Sequence, residues 1–206
     1  MNLAVIAPAF YPSLASIPLF TQSAARHGIP VNLYGLTRRY THWIDTHINE
    51  CFHQLRDLTA SHILFTDAAD VIWLADLNEI VGKYDALHRP PILIGFEESG
   101  PNFGGWMGER HAAIDMLQIL SKMEGGDPQE RLRKALRHEW LQVQPDYTRE
   151  IFQVVDGSDL EVIEGRVRNN NTGTWPCLVH FAGGYSSPDQ GKRAQMEPMA
   201  RKLGYE

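Results

Sequence analysis

The strongest constraint on the fold is an alternation of short apolar runs with longer amphipathic segments. Mostly apolar runs of five to seven residues recur at 3–8, 31–36, 62–66 and 90–96. Such runs are typical of strands that a parallel sheet buries on both faces. The segments between them place apolar residues three and four apart, the spacing of a helix with one buried face. The sequence therefore predicts an α/β fold, with a mixed, largely parallel sheet flanked by helices in a single domain, residues 1–206.

The second half of the chain is interpreted from the same patterns. A helix is expected from Pro128 to about Val143. Strand-like stretches follow at 151–155, 160–168 and 177–181. Between the fourth apolar run and the next helix lies EESGPNFGGWMG, in which Gly, Ser and Pro are frequent. This composition predicts turns.

Charge and cysteine content exclude several classes of protein. The net charge of -6 argues against broad, non-specific binding to nucleic acid or to an anionic membrane. The apolar run near the N-terminus is too short for a signal peptide or a membrane span. Cys51 and Cys177 stand alone, which gives no reason to expect a disulfide framework. We therefore expect a cytoplasmic protein that does not associate with membranes.

Two carboxylates follow the third apolar run, in the sequence HILFTDAADVIW. In an open α/β sheet, ligands bind at the carboxyl ends of the strands, and Asp67 and Asp70 lie just past such an end. Two carboxylate ligands suit Mg²⁺ or Mn²⁺, which keeps coordination positions for water and phosphate. The alternative is that Asp67 caps a turn and Asp70 is solvated. The two alanines between them and the apolar flanks count against this alternative but leave it open.

Two glycine-containing stretches add further candidates. In WPCLVHFAGGY, His180 comes late in a predicted strand and is followed by Gly183 and Gly184. The imidazole could complete a metal site, and the glycine amides could approach a phosphate. In NFGGW, the pair Gly104 and Gly105 also permits a close approach to the backbone. A structural histidine at a strand end and two ordinary turns are the alternatives.

Taken in order, these stretches resemble the glycosyltransferase domain of procollagen lysyl hydroxylases and of related viral and bacterial proteins, which is a domain of the GT-A type. The family patterns are F-x-D-x-x-D-V-I, N-x-G-G-F-x-G, IFQ-x-x-(N/D)-G and a late Asn followed by a His-x-x-Gly turn. They are matched here by FTDAADVI at 65–72, NFGGWMG at 102–108, IFQVVDG at 151–157 and RNNNTGTWPCLVHFAGG at 168–184. The resemblance extends over nearly the whole chain.

The resemblance implies a GT-A-like, Rossmann-like domain and a transferase that uses Mn²⁺ or Mg²⁺. It would move glucose or galactose from a UDP-sugar to a hydroxyl acceptor with retention of configuration. The acceptor hydroxyl could belong to a protein, a glycan or a hydroxymethylated nucleobase. By position, the metal ligands would be Asp67, Asp70 and His180. Tyr40 would stack on the uracil. The remaining predicted contacts to the nucleotide sugar are Ala7, Asn102, Gly104, Gly105, Gly183 and Gly184.

The chain departs from the family pattern at two places. The family has a glycine-rich loop and then a Lys near the start of the second helix, whereas here His47 or a neighbour occupies that region. The family's D-D-Q on the acceptor side is matched only by HEW at 138–140. We therefore predict Glu139 as the carboxylate that acts on the acceptor hydroxyl or on the reacting sugar, with Asp70 as the second catalytic carboxylate.

Three other classes of protein fit the sequence to different degrees. A sugar nucleotidyltransferase would normally begin with a glycine-rich phosphate loop, which APAFYPS does not supply. A haloacid-dehalogenase-like phosphatase would need a D-x-D-x-T pattern after the first strand, which is also missing from the sequence. A non-catalytic module that binds a nucleotide sugar is compatible with the altered HEW stretch.

Overall fold

The computed structural model describes residues 1–10, 17–38, 42, 44–182 and 192–205. Within these ranges the chain forms one nine-stranded sheet and a separate two-stranded hairpin. The strands are β1 (Leu3–Pro8), β2 (Val31–Tyr34), β3 (His62–Thr66), β4 (Val71–Trp73), β5 (Ile92–Glu97), β6 (Gly100–Glu109), β7 (Val143–Pro145), β8 (Phe152–Val154), β9 (Leu160–Ile163), β10 (Arg166–Asn169) and β11 (Leu178–His180).

Helices connect most of these strands. They are α1 (Ile17–Arg26), α2 (Glu50–Asp57), α3 (Leu77–Ala86), α4 (Arg110–Lys122), α5 (Pro128–Arg137) and α6 (Met196–Lys202). A π-helical segment, Ile44–Asn49, leads directly into α2, and a 3₁₀ turn, Lys192–Gln195, precedes α6. Among the helices in the described ranges, none is long and apolar enough to cross a bilayer.

The sheet is mixed and largely parallel, as predicted. Its strand order is β2-β1-β3-β6-β5-β8-β11-β4, and β7 pairs with the first half of β5. Strands β6 and β4 run against the others: β6 is antiparallel to both β3 and β5, and β4 is antiparallel to β11. The carboxyl ends of β1, β3, β5, β8 and β11 therefore meet at one edge of the sheet, which we call the carboxyl edge.

Apolar clusters cover both faces of this sheet. On one face, Phe65 and Trp106 stack with their ring centroids 5.1 Å apart beneath α2, α4 and α5. On the other face, Phe20 of α1 and Tyr84 of α3 pack in a second cluster that includes Trp73. A third cluster joins β4 and β11 to β10 and α6. Because the faces are filled with apolar side chains, polar groups that could act on a ligand are concentrated at the strand ends.

The glycine-rich stretch at 97–108, for which we predicted turns, is mostly the long central strand β6. Its glycines are required by crowding. A Cβ on Gly105 would lie 2.9 Å from the Phe152 ring, and a Cβ on Gly108 would overlap the carbonyl oxygen of Pro91. Glycine therefore lets a buried strand fit between β3 and β5 at these positions.

The predicted helix from Pro128 to Val143 is shorter than expected. Helix α5 ends at Arg137, and the backbone of Glu139 adopts a φ of 57°, which is incompatible with a continuing helix. Asp127 caps the other end of α5. Its carboxylate accepts a hydrogen bond from the backbone N–H of Glu130 at 2.8 Å.

A buried carboxylate holds the entry to β8. Asp146 follows β7 and is 1% exposed. Its carboxylate accepts hydrogen bonds from the backbone N–H groups of Glu150, Ile151 and Phe152 at 2.9 to 3.1 Å. Burial raises the pKa of Asp146, against the opposing effect of these hydrogen bonds. Since β8 borders both β5 and β11, this turn helps to place the strand that carries His180.

We predict that Asp146→Ala lowers the free energy of unfolding by about 3 kcal/mol, because three backbone N–H donors, two of them buried, lose an acceptor. Urea denaturation followed by circular dichroism measures this loss. Asp115→Ala, on the exposed face of α4, is the matched control and should change stability by no more than about 0.5 kcal/mol. Equal stability of the two variants would contradict the proposed role of the turn.

Candidate active site

Three side chains that are distant in sequence converge at the carboxyl edge. Asp67 follows β3, Asp70 precedes β4, and His180 is the last residue of β11. One ligand atom from each lies within 4.8 Å of those of the other two. The Nε2 atom of His180 is 3.4 Å from Oδ2 of Asp67 and 3.3 Å from Oδ1 of Asp70. The structure thus brings together the three residues that were predicted as metal ligands.

The antiparallel pairing of β4 with β11 places Asp70 beside His180. In this pairing His180 is opposite Val71, and the N–H of Phe181 donates to the carbonyl oxygen of Asp70 at 2.8 Å. The two alanines between the aspartates, Ala68 and Ala69, are 2% and 5% exposed. Small side chains let the connection from β3 to β4 fold inward, which explains why no polar residue separates the two acids.

A bulge in β6 forms another side of the site. Ile94 of β5 pairs with Trp106, but the next residue, Gly95, pairs with Asn102, so the intervening residues of β6 leave the ladder with β5. Within the bulge, the side-chain oxygen of Asn102 accepts a hydrogen bond from the N–H of Gly104 at 2.9 Å. Asn102 is buried, and its observed interaction shapes the bulge.

Gly104 contacts the predicted metal ligands directly. Its carbonyl oxygen accepts a hydrogen bond from the N–H of Asp67 at 2.9 Å. A Cβ added to Gly104 would overlap Cε1 of His180 and would lie 2.5 Å from Oδ2 of Asp67. Only glycine therefore leaves room for the carboxylate and the imidazole at this point.

The convergent polar atoms are buried and lack hydrogen bonds. Oδ1 of Asp67, Oδ1 of Asp70 and both ring nitrogens of His180 have no aligned hydrogen-bond partner among the described residues. Buried polar atoms in proteins normally have a partner, and an unpaired one costs about 1–3 kcal/mol. Carboxylate oxygens with one imidazole nitrogen form a suitable ligand set for a divalent cation such as Mn²⁺. The residues present therefore fit a bound metal ion.

The two carboxylates and the imidazole strongly affect one another. Burial lowers the pKa of His180, but the charges of Asp70 and Asp67 outweigh it and raise this pKa to about 10. Burial raises the pKa of Asp67, but the close approach of the His180 and His47 imidazoles outweighs it and leaves this pKa well below its usual range. The site therefore favours positive charge beside ionised carboxylates, which a divalent cation would also provide.

His47 is a neighbour of the site whose role sequence reasoning did not assign. It lies in the π-helical segment, is 6% exposed, and places Nε2 3.2 Å from Oδ1 of Asp67. Sequence analysis identified only that His47 or a neighbour occupies the region where the family has a Lys. His47 and Asp67 are 20 positions apart in the chain, and the residue spacing around either of them does not predict their contact.

A second polar cluster at the carboxyl edge was also missed. Glu97, at the end of β5, is 7% exposed. Its Oε1 atom accepts hydrogen bonds from Gln129 at 2.5 Å, from Ser99 at 3.1 Å and from Arg133 at 3.3 Å. These contacts fasten the beginning of α5 to the carboxyl edge. A helix start marked by Asp and Pro was the available signal, but nothing in the sequence connected it to β5.

The structure does not place Glu139 with the metal ligands. Glu139 is exposed and lies four residues before Val143, which pairs with Ile92 at the first residue of β5. The next residue, Trp140, lines a groove with Ile92 and Glu109, at the amino end of β5 and the carboxyl end of the opposed strand β6. Glu139 therefore lies towards the edge of the sheet opposite the carboxyl edge, because α5 begins beside Glu97 at the carboxyl edge and ends before Val143 joins the first residue of β5.

The remaining predicted contacts divide into two groups. Ala7 is fully buried in β1, and Gly105 pairs with Thr66 and faces Phe152, so both are core positions in the structure. Three predicted residues lie outside the described ranges: Tyr40, Gly183 and Gly184.

Comparison with known proteins identifies the fold. No model of a protein family matches the chain, and no curated protein matches it. The chain is similar to the crystal structure of a glycosyltransferase involved in the glycosylation of the major capsid of PBCV-1, with a TM-score of 0.63, 11% identity, and coverage of 96% of this chain and 100% of that chain. This likeness concerns the fold, and it confirms the predicted α/β architecture with a mixed, largely parallel sheet.

A more limited likeness is found to the glycosyltransferase GlyE of Streptococcus pneumoniae TIGR4. The TM-score is 0.49 at 14% identity, and the alignment covers 72% of this chain and 45% of that chain.

We predict that Gly104→Ala weakens the binding of Mn²⁺ by at least about tenfold, because the added methyl group must displace His180 or Asp67. The free Mn²⁺ signal in electron paramagnetic resonance measures this affinity. Gly82→Ala is the matched control, since a Cβ on this exposed residue of α3 meets nothing within 4 Å. Parental affinity in Gly104→Ala would show that the bulge does not limit the site.

Proposed function

We propose that the protein is a metal-dependent glycosyltransferase that moves a sugar, glucose or galactose, from a UDP-sugar to a hydroxyl acceptor. The observation that carries the proposal is the convergence of Asp67, Asp70 and His180, with unpaired buried atoms, at the carboxyl edge. The fold supports the proposal, because a solved structure that matches over 96% of this chain is that of a glycosyltransferase.

Asp67, Asp70 and His180 would hold the metal ion. When bound, the ion supplies positive charge that neutralises the developing charge on the leaving nucleoside diphosphate. The side chains of Asp67 and Asp70 are 19% and 14% exposed, whereas that of His180 is 2% exposed. The donor diphosphate would therefore approach from the side of the two carboxylates, with the imidazole behind them.

The chain contributes rigidity to this arrangement. His180 is fixed by ladders to β8 and β4, and Asp67 is fixed by the bond of its N–H to Gly104. Groups held in place before the reaction need no rearrangement as charge develops. The two carboxylates alone would repel a diphosphate, so we expect donor binding to require the cation.

The other predicted contacts are part of the proposal. Tyr40 would stack on the uracil, and Gly183 and Gly184 would bring backbone amides near the diphosphate. Ala7 and Gly105 are core residues, so they would contribute by shaping the sheet beneath the nucleotide sugar.

Asp70 keeps its proposed catalytic role, because it would hold the metal ion. Glu139 is not proposed to act on the acceptor. Because Glu139 lies towards the opposite edge of the sheet, another group would receive the acceptor proton, either elsewhere in the chain or on the leaving diphosphate. We propose retention of the anomeric configuration on the basis of the family resemblance. An acceptor on a protein or a glycan fits the net charge of -6 better than duplex DNA does.

We predict that Asp70→Ala and His180→Ala each weaken Mn²⁺-dependent binding of UDP by more than about 100-fold, since each removes a direct ligand. Isothermal titration calorimetry with and without Mn²⁺ measures this effect. Asp115→Ala and His53→Ala, at exposed positions, are the matched controls and should bind as the parent does. If either ligand variant binds UDP and Mn²⁺ like the parent, the metal assignment is wrong.

Turnover is tested by incubating the protein with a panel of UDP-sugars and Mn²⁺ and measuring the release of UDP. Release with one donor, lost in Asp70→Ala, supports an enzyme. Tight binding of UDP and Mn²⁺ without release from any donor would favour the non-catalytic binding module instead. Mass spectrometry of candidate acceptors then identifies the hydroxyl that receives the sugar, and proton NMR of the product reports its configuration.

We predict that Tyr40→Ala weakens UDP binding by about 1–3 kcal/mol, the loss expected when a base loses its stacking partner. Titration calorimetry in the presence of Mn²⁺ measures the change. Tyr147→Ala removes a tyrosine that is 63% exposed and serves as the control. An unchanged dissociation constant for Tyr40→Ala would remove this residue from the nucleotide site.

A further inference from the structure

We propose that His47 is a positioning residue, which holds one oxygen of Asp67 so that the other oxygen faces the metal ion. This inference rests on the proposed function, because it concerns the same metal site. It adds a residue that neither the family resemblance nor the group of three converging ligands assigns.

The two oxygens of Asp67 face different partners. Oδ2 is the oxygen nearer the other ligands, 3.4 Å from Nε2 of His180. Oδ1 has a different neighbour, since Nε2 of His47 lies 3.2 Å from it. A single imidazole N–H donated to Oδ1 would therefore fix the rotation of the carboxylate and direct Oδ2 to the ion.

His47 lies outside the set of atoms that could share one ion. Among the described residues, the atoms that approach one another within 4.8 Å belong to Asp67, Asp70 and His180, and His47 is not one of this group. Its imidazole reaches the ion only through Asp67. This geometry distinguishes a positioning role from that of a fourth ligand.

The helix layer holds His47 firmly at this place. His47, Cys51 and Leu55 recur every fourth residue along the π-helical segment and α2, and all three are buried. The imidazole thus occupies the end of an otherwise apolar stripe, where this stripe reaches the carboxyl edge. Its ring lies edge-on to Phe65, with the centroids 6.4 Å apart. π-Helical turns are frequent at functional sites, which agrees with this position.

The expected effect follows from the chemistry of metal ligands. Carboxylates that bind a metal are usually held by a second hydrogen bond, and loss of this outer partner lowers metal affinity by about 10–100-fold. A histidine that only fills space would behave differently. It could be replaced by an aromatic residue of similar size without any change in metal binding.

The test uses two substitutions of the full chain. His47→Phe keeps a planar ring against Phe65 but removes the N–H, whereas His47→Gln keeps an N–H donor at a similar reach. We expect His47→Phe to bind Mn²⁺ about 10–100-fold more weakly than the parent and His47→Gln to remain within about threefold of it. Electron paramagnetic resonance of free Mn²⁺ gives the dissociation constants. His53→Phe, an exposed position on α2, is the control and should match the parent.

Each outcome has a definite meaning. Parental Mn²⁺ affinity in His47→Phe would overturn the positioning role while leaving the proposed function intact. Equal weakening in His47→Phe and His47→Gln would also overturn it, since the loss would then follow the change in packing. If the parent itself binds no divalent ion, both this inference and the metal-dependent function are wrong. Thermal unfolding without metal should give similar midpoints for the parent and His47→Gln, so a marked drop there would likewise count against the inference.

Discussion

The rest of this site depends on one interaction, between two carboxylates that have little access to water and the positive charge needed to balance them. Asp67 and Asp70 lie on either side of a buried Ala-Ala turn, and their oxygens converge with His180. Like charges at this distance repel one another strongly where water cannot screen them. The imidazole of His180 lies against both carboxylates, and His47 lies beside Asp67. In the proposed function, a divalent cation would complete the balance and link the site to the diphosphate of the donor.

The two antiparallel strands make this convergence possible. Strand β4 lies beside β11, so that Asp70 and His180 meet although they are 110 residues apart in the chain. Strand β6 lies between β3 and β5, and its bulge brings Gly104 against Asp67 and His180. In a purely parallel sheet, each carboxyl end would contribute its own loop. The reversed strands bring backbone from neighbouring strands into the site, with glycine where no side chain fits.

Sequence reasoning identified most of the sheet and the three side chains that converge, because apolar runs and metal-binding residue types leave direct signals. It missed β6 because the glycines that fit a crowded strand have the same composition as turns. It also extended α5 through Glu139, because amphipathic spacing does not show where a positive φ ends a helix. The contacts of His47 with Asp67 and of Gln129 with Glu97 join separate elements and appear only when the layers pack.

The site and the core contribute in opposite directions to stability. Unpaired buried atoms on Asp67, Asp70 and His180 lower the stability of the folded chain, by about 1–3 kcal/mol for each unpaired group. The apolar clusters on both faces of the sheet must supply the stability that offsets this cost. A cation that binds only the folded chain would return part of it, since binding to the native state alone stabilises that state. Residues at the carboxyl edge are therefore explained better by what they bind than by what they add to the fold.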